Sequence, residues 1–148
     1  MDEPAQRLPD RAKVYWRLRG AGYAAFVLVA ALGFLDVAGP WGLAAAAVVA
    51  AFAAGVLPEL RWRRWRYEVR EEEVDLMRGA FVVRRTIIPI RRVQHVDTES
   101  GPLRDSLGLA TVTLHTAAGA VAIPALRKGE AERVRGRVAE LARTRDDT

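Results

Sequence analysis

The feature that most constrains this chain is an apolar stretch at residues 21–57 whose one charge, Asp36, lies near its middle. A lipid-spanning helix needs about 20 apolar residues, within a range of roughly 17–25. The stretch is too long for one such helix and suits two. They read as residues 21–35 (AGYAAFVLVAALGFL) and 41–57 (WGLAAAAVVAAFAAGVL), divided by Asp36-Val37-Ala38-Gly39-Pro40, which has the composition of a tight turn. Backbone groups without partners cannot sit in lipid, so each helix must be complete and the break must fall at the interface. The expectation is a transmembrane helical hairpin with Asp36, Gly39 and Pro40 at its tip. A soluble core rarely takes up so long a charge-poor run. A cleavable signal peptide would not be followed at once by a second apolar run.

The flanks orient the hairpin. Arg11, Lys13, Arg17 and Arg19 lead up to the first half, with Tyr15 and Trp16 among them. After the second half comes Arg61-Trp62-Arg63-Arg64-Trp65-Arg66, and between the halves there is no cation. By the positive-inside rule both termini face the cytoplasm, and the aromatic residues read as interface anchors. The expected location is a cell membrane, crossed twice, with the domain on its inner side. Anionic lipid would add about 1 kcal/mol per basic residue near the surface. The same cluster could stack on bases, but its place beside a span favours headgroups, and no nucleic acid is expected. Small residues such as Gly22, Ala25, Ala44, Ala47, Ala51, Ala54 and Gly55 suit close helix approach. No charge sits at mid-membrane, which argues against a proton or ion path.

The rest of the chain has room for one compact domain among its 148 residues. Residues 1–10 are polar and proline-broken and read as a mobile tail. From Tyr67 the pattern changes to short alternating segments. Residues 67–70 and the stretch around Val74 and Leu76 read as strands, joined to the next by a two-residue turn at Arg78-Gly79. Residues 81–90 (FVVRRTIIPI) and 91–99 (RRVQHVDTE) follow as strands, then residues 100–107 as a loop. In residues 109–116 (LATVTLHT), Val112 and Leu114 face one way, and Thr111, Thr113 and His115 the other. A turn at Gly119 and a strand carrying Val121 and Ile123 complete the set. Ala131, Val134, Val138 and Leu141 then form one apolar stripe on a helix over about 129–143. Six or seven antiparallel strands closed by one amphipathic helix fit a small barrel or bent sheet.

Catalytic chemistry finds little support. The chain has no cysteine and two histidines, His95 and His115, so thiolate sites and a helical histidine pair are excluded. A metal site would need help from Asp97 or Glu99. The plainer reading places His115 on a solvent-facing strand and His95 in a structural motif. Glu71-Glu72-Glu73 lacks the spaced ligands of a calcium loop. Ser100 and Ser106 have no histidine at triad-like spacing. No enzyme, cofactor or metal is expected. The net charge of +5 comes mostly from arginine, alongside much alanine, in the manner of high-GC coding bias. Among the strand arginines, Arg78, Arg91 and Arg92 are the candidates for an anion or headgroup contact, because the guanidinium suits phosphate.

Ile88-Pro89, Arg92-Val93-Gln94-His95-Val96, Gly101-Pro102-Leu103, Gly108-Leu109-Ala110-Thr111-Val112, Thr116-Ala117-Ala118-Gly119 and Ile123-Pro124 occur in an order and spacing that resembles the bacterial pleckstrin-homology (PH) domain family, in its group of YdbS-like membrane proteins. The resemblance covers the chain from the hairpin to the last helix. It implies a mainly β PH-like barrel capped by a C-terminal helix, with Pro89, Gln94, Gly101, Pro102, Gly108, Gly119 and Pro124 as structural motif residues. It also implies association with other membrane proteins bearing PH-like domains, and a link to envelope stress or antimicrobial-peptide tolerance. One departure stands at Arg104-Asp105, where the family often has Gln-Arg, so a role tied to that second cation does not carry over. The expected division is a basic cytoplasmic segment at 1–20, the hairpin at 21–57 and a cytoplasmic PH-like domain at 58–148. The expected function is a protein-interaction or scaffold module at the inner face of the membrane. Its partners are lipids and either a PH-like membrane protein or a second copy. A headgroup sensor is the alternative.

Overall fold

The computed structural model describes residues 4–147. Two long helical arms lead into a β unit of two sheets, and one helix closes it. The chain opens on β1 (Gln6–Arg7), then α1 (Asp10–Gly33) and α2 (Leu35–Ala51), followed by a π-helical turn at Phe52–Val56 and α3 (Leu57–Arg64). Strands β2 (Arg66–Val69), β3 (Glu73–Arg78) and β4 (Arg84–Pro89) come next. A 3-10 turn at Ile90–Arg92 leads into β5 (Val93–Glu99), and the short α4 (Pro102–Ser106) into β6 (Leu109–Thr116), β7 (Gly119–Arg127) and α5 (Lys128–Asp146).

A first, mild irregularity falls at Phe34, and the non-helical break falls at Gly39, within the tip expected from the sequence. Gly39 takes φ 67° and ψ −173°, a conformation that suits glycine, and Pro40 restarts the helix. Among the described residues one helical segment, Leu35–Arg64, is long and apolar enough to cross a membrane, where two were expected. Only 11% of its most apolar window is buried in the protein, unlike the core helix of a soluble domain. The reason α1 does not qualify lies in its start. Its first turns carry Arg11, Lys13, Arg17 and Arg19, which leaves an apolar run from Gly20 to Gly33. At 1.5 Å per residue that run is about 21 Å long, against a hydrocarbon core of about 30 Å.

The π-helical turn has a local cause. Pro58 has no N–H to offer the carbonyl four residues back, and the ring crowds that carbonyl, so the preceding turn widens. Gly20 of α1 lies against this turn. A Cβ at Gly20 would come within 2.7 Å of the Ala53 carbonyl oxygen, whereas Gly22, from the expected small-residue face, has nothing near it.

The strands form two antiparallel sheets, β1-β2-β3-β4 and β5-β6-β7, and not the closed barrel expected. The 3-10 turn after Pro89 carries the chain from one sheet to the other, and among the described residues no ladder joins β4 to β5. The connection after β3 is longer than the expected two-residue turn. It runs from Gly79 to Val83 and takes in Phe81, Val82 and Val83, expected in a strand but here exposed. Gly79 is required there, because a Cβ would meet the Val82 carbonyl oxygen at 1.9 Å. The loop expected at 100–107 contains α4. Strand β6 runs as expected, with Val112 and Leu114 buried, and α5 buries Ala131, Val134 and Val138.

Residues 4–10 do not form a free tail. β1 pairs with β2, placing Gln6 opposite Tyr67, and Leu8, Ala12 and Trp16 enter the same core as Trp65, Tyr67, Val74 and Leu76. The start of α1 is thus part of the β unit, and the core sits between α1, the two sheets and α5.

Candidate functional site

Three groups of polar side chains stand out. The first lies where the apolar helix meets the β unit. Of the aromatic residues expected as lipid anchors, Trp16 and Trp65 are buried at 5% and 2% exposure, and Tyr15 and Trp62 pack against the core. Trp62 donates its indole N–H to the carbonyls of Leu8 and Pro9, at 3.2 and 3.0 Å. These rings therefore fasten α1 to α3. Ala12 and Trp16 fall four residues apart on one face of α1, and Leu8 just ahead of the helix joins them in the core. The exposed aromatics are elsewhere: Tyr23 and Phe26 on α1, Phe34 and Trp41 near the turn between the arms, and Phe52 and Phe81, whose rings stack at 5.8 Å.

The cations of this zone divide. Lys13, Arg17 and Arg63 converge on Glu59, at 3.4, 3.0 and 2.9 Å, and brace α1 against α3. Arg61 lies over the Trp16 ring at 4.8 Å. It borders two cavities, one shared with Arg19, Gly20 and Tyr23, the other with Arg78, Val82 and Arg84. Arg64 donates to the Phe81 carbonyl and Arg66 belongs to β2. The expected trio Arg78, Arg91 and Arg92 is not brought together. Arg78 pairs in register with Arg84 at one end of the β3–β4 ladder. Arg91 and Arg92 follow Pro89, which pairs with Glu73 at the other end. Five residue steps separate those ends, about 17 Å at roughly 3.3 Å each.

The second group is an ion network on β2–β4 that alternation alone did not reveal. Asp75 is fully buried. Arg85 donates to both of its carboxylate oxygens, Nε to Oδ1 at 3.0 Å and a terminal nitrogen to Oδ2 at 2.5 Å, and Arg70 approaches at 3.4 Å. Arg70 also pairs with Glu68 and Glu73. Nearby, the Tyr67 hydroxyl donates to Glu130 at 2.5 Å, tying β2 to α5. Burial, with the Glu130 carboxylate second, holds the Tyr67 phenol well above its ordinary value.

The third group sits on the outer face of β5–β6. The register places His95 opposite His115 and Asp97 opposite Thr113. The two imidazoles stack with centroids 4.1 Å apart and planes 10° from parallel. Asp97 Oδ2 lies 3.1 Å from His115 Nε2 and 3.8 Å from His95 Nε2. His115 Nε2 is itself buried and, despite that approach, makes no hydrogen bond among the described residues.

The sequence model of a family described as "Bacterial PH domain" matches residues 23–142. The chain belongs to the bacterial PH-domain family. It is 40% identical over 156 residues to UPF0699 transmembrane protein YdbS of Bacillus subtilis (strain 168), covering 99% of this chain and 98% of that protein. It is also 29% identical over 80 residues to UPF0699 transmembrane protein YdbT of the same organism, covering 51% of this chain and 16% of that protein. No solved structure matches the chain. The family description and the names of these relatives contain no catalytic term.

In this PH-domain chain the motif residues fall where the backbone changes direction. Pro89 ends β4, and Gln94 occupies the irregularity between Val93 and His95 in the β5–β6 ladder. Gly101 and Pro102 start α4, Gly108 precedes β6 with φ 68°, and Gly119 opens β7 with φ 134°. Pro124 precedes Ala125, which is buried with φ 54° opposite the second ladder irregularity. Arg104, at the departure from the family pattern, donates to Thr111 Oγ1 at 2.7 Å. Asp105 beside it pairs with Lys128 at 2.8 Å and with Ser100, and both contacts hold its carboxyl below the usual range.

Proposed function

We propose that the protein is a non-catalytic docking module, held at the cytoplasmic face of the bacterial cell membrane, whose partner is a second membrane protein with PH-like domains or a second copy of itself. The observation that carries this reading is the open seam between the sheets. β4 and β5 each have one strand neighbour among the described residues. An unpaired edge can add a strand from another chain, with main-chain hydrogen bonds for affinity and side-chain pockets for specificity. Likeness to part of YdbT is compatible with a partner of the same kind.

The finer topology belongs to the same proposal. Both termini are cytoplasmic and the Phe34–Pro40 turn lies on the far side. Pairing of β1 with β2 supports this, because it brings the start of α1 and the end of α3 together. On that view the apolar half of α1 crosses beside α2, with its arginines reaching the near interface. The cytoplasmic unit of this reading is residues 58–148 with the segment before residue 20, and the shared core of Leu8, Ala12 and Trp16 with Trp65 and Tyr67 supports joining them.

Crosslinking mass spectrometry on intact cells, with the full-length chain as bait, tests the docking role. Links from β4 or β5 to a second membrane protein or to another copy are expected. Recovery of the chain alone from native membrane would refute it. A deletion strain challenged with cationic antimicrobial peptides tests whether the process is envelope defence.

A second reading has its own observation. Arg61 lies between the Arg19 cavity and the Arg78–Arg84 cavity, beside the exposed Phe81-Val82-Val83 loop, where the apolar helix ends. That is a place for an anionic headgroup, with arginine as its phosphate ligand. Arg61→Gln with Arg84→Gln would abolish retention of a particular anionic lipid; loss that tracks bilayer charge alone would refute the reading.

A further inference from the structure

We propose that His95, Asp97 and His115 form a binding site for a first-row transition metal ion, with Zn2+ as the expected occupant. The site is independent of the docking surface, and three observations point to it. The first is placement. Strand register sets His95 directly opposite His115, and Asp97 two residues along on the same face. Such cross-strand positions hold their Cβ atoms about 4.5–5.5 Å apart. The second is reach: one ligand atom from each of the three side chains lies within 4.8 Å of the others. Zinc-bound nitrogen and oxygen sit about 2.0–2.2 Å from the ion, which sets tetrahedral ligand atoms about 3.4 Å apart, so the three must draw somewhat closer when it binds. Small side-chain rotations supply the difference, and the exposure of His95 and Asp97 leaves them free to rotate.

The third observation is the buried Nε2 of His115, which has no hydrogen-bond partner among the described residues. A buried polar nitrogen without a partner costs free energy unless something meets it. The Asp97 carboxylate comes within 3.1 Å of this atom without forming a bond. A cation between the carboxylate and the two imidazoles would satisfy all three groups.

The donor set selects the metal class. Two imidazoles and one carboxylate suit zinc, copper or nickel, whereas calcium and magnesium take oxygen ligands. The neighbours on the same face are small. Ala120 pairs with His115 and Ala122 with Thr113, so no long side chain from β7 covers the site. Three protein ligands leave at least one coordination position open to water or to a group from a partner.

The test uses the untagged full-length chain in detergent micelles. Zn2+ uptake is measured against a chromophoric chelator, and Co2+ is added as a spectroscopic probe. Saturable binding of one Zn2+ per chain is expected, with a Co2+ ligand-field spectrum of a nitrogen- and oxygen-ligated ion. His95→Ala, His115→Ala and Asp97→Asn should each weaken Zn2+ by more than about 10-fold, since losing even an outer-shell partner typically costs about 10–100-fold. All three positions lie on the outer face of the sheet, and circular dichroism confirms that each variant folds. A thermal midpoint that rises with Zn2+ in the wild type alone would add support. No saturable uptake, uptake unchanged in the triple variant, or equal competition by Mg2+ or Ca2+ would overturn the assignment.

Discussion

Asp75→Ala should destabilise the protein by about 2–3 kcal/mol. Asp75 is fully buried and accepts two hydrogen bonds from Arg85, with Arg70 as a further cation at 3.4 Å. Removing one partner of a buried ion pair costs about 3–5 kcal/mol, because the other charge loses its compensation in a poorly hydrated place. Here the arginines are not sealed off: the side chains of Arg85 and Arg70 are 26% and 27% exposed. Water can reach both, and Arg70 keeps Glu68 and Glu73. That hydration moves the estimate below the fully buried range, to about 2–3 kcal/mol.

Exchanging a buried pair for apolar residues of similar volume is often neutral or stabilising. The double variant Asp75→Leu with Arg85→Met should therefore fall within about 1 kcal/mol of wild type. Urea unfolding of the full-length chain in detergent micelles, followed by tryptophan fluorescence, measures both, since Trp16 and Trp65 lie in the core. A single variant within about 0.5 kcal/mol of wild type, the range of ordinary surface changes, would refute the buried-charge account. So would a double variant as unstable as the single one, which would make shape rather than charge the decisive term.

Gly20→Ala should cost about 1–3 kcal/mol through overpacking against the Ala53 carbonyl, while Gly22→Ala, with open space around it, should be neutral or slightly stabilising; thermal unfolding of the pair separates packing from helix propensity. The Tyr67 phenol is raised in the folded state, so its contribution is fully present below the ordinary tyrosine value of about 10 and is lost as pH rises past it. Tyr67→Phe should lower stability at pH 8 by about 1–2 kcal/mol, through loss of the bond to Glu130, and flatten the decline of stability above about pH 10. The chain has no cysteine, so single-cysteine variants report topology directly. Val37→Cys, in the exposed turn between the helical arms, should react with an impermeant thiol reagent on intact cells, and Arg135→Cys on α5 only after permeabilisation; the reverse pattern would refute the proposed orientation.

Local periodicity made some of this structure legible and tertiary contacts hid the rest. β6 and α5 could be read because one pattern of period two and one of period 3.6 persist over several residues, and burial follows them. β1 could not, because two residues carry no period and its pairing with β2 is a contact across the whole helical arm. The burial of Trp16 did leave a trace, the four-residue spacing of Leu8, Ala12 and Trp16, but the surrounding arginines gave an equally good reading as a lipid interface. By alternation Asp75 falls on the face of β3 opposite Val74 and Leu76, where a solvated polar residue is the ordinary expectation. What buries it is the pair of long arginines folded over that face, and strand alternation does not encode them. His95 and His115 are far apart in sequence, and only the β5–β6 register makes them neighbours.

The packing of the N-terminal segment changes how the two parts of the chain relate. Had β1 and the first turns of α1 been a loose tail, the membrane helix and the β unit would be joined at one point, the end of α3, and could swivel. Instead the connection is made twice. β1 is hydrogen-bonded to β2, and Leu8, Ala12 and Trp16 are buried with Trp65 and Tyr67. Lys13 and Arg17 on α1 share Glu59 with Arg63 on α3, and Phe81 from the β3–β4 loop stacks on Phe52 of the apolar helix. Two covalent entries, an ion cluster and a ring stack fix the orientation of the sheets relative to the helix axis. The open edges of β4 and β5 are then held at a set angle to the apolar helix. A soluble copy of the β unit lacking residues before 58 would lose three core side chains and one strand as well as its anchor, so work on its ligands has to be done with the intact chain.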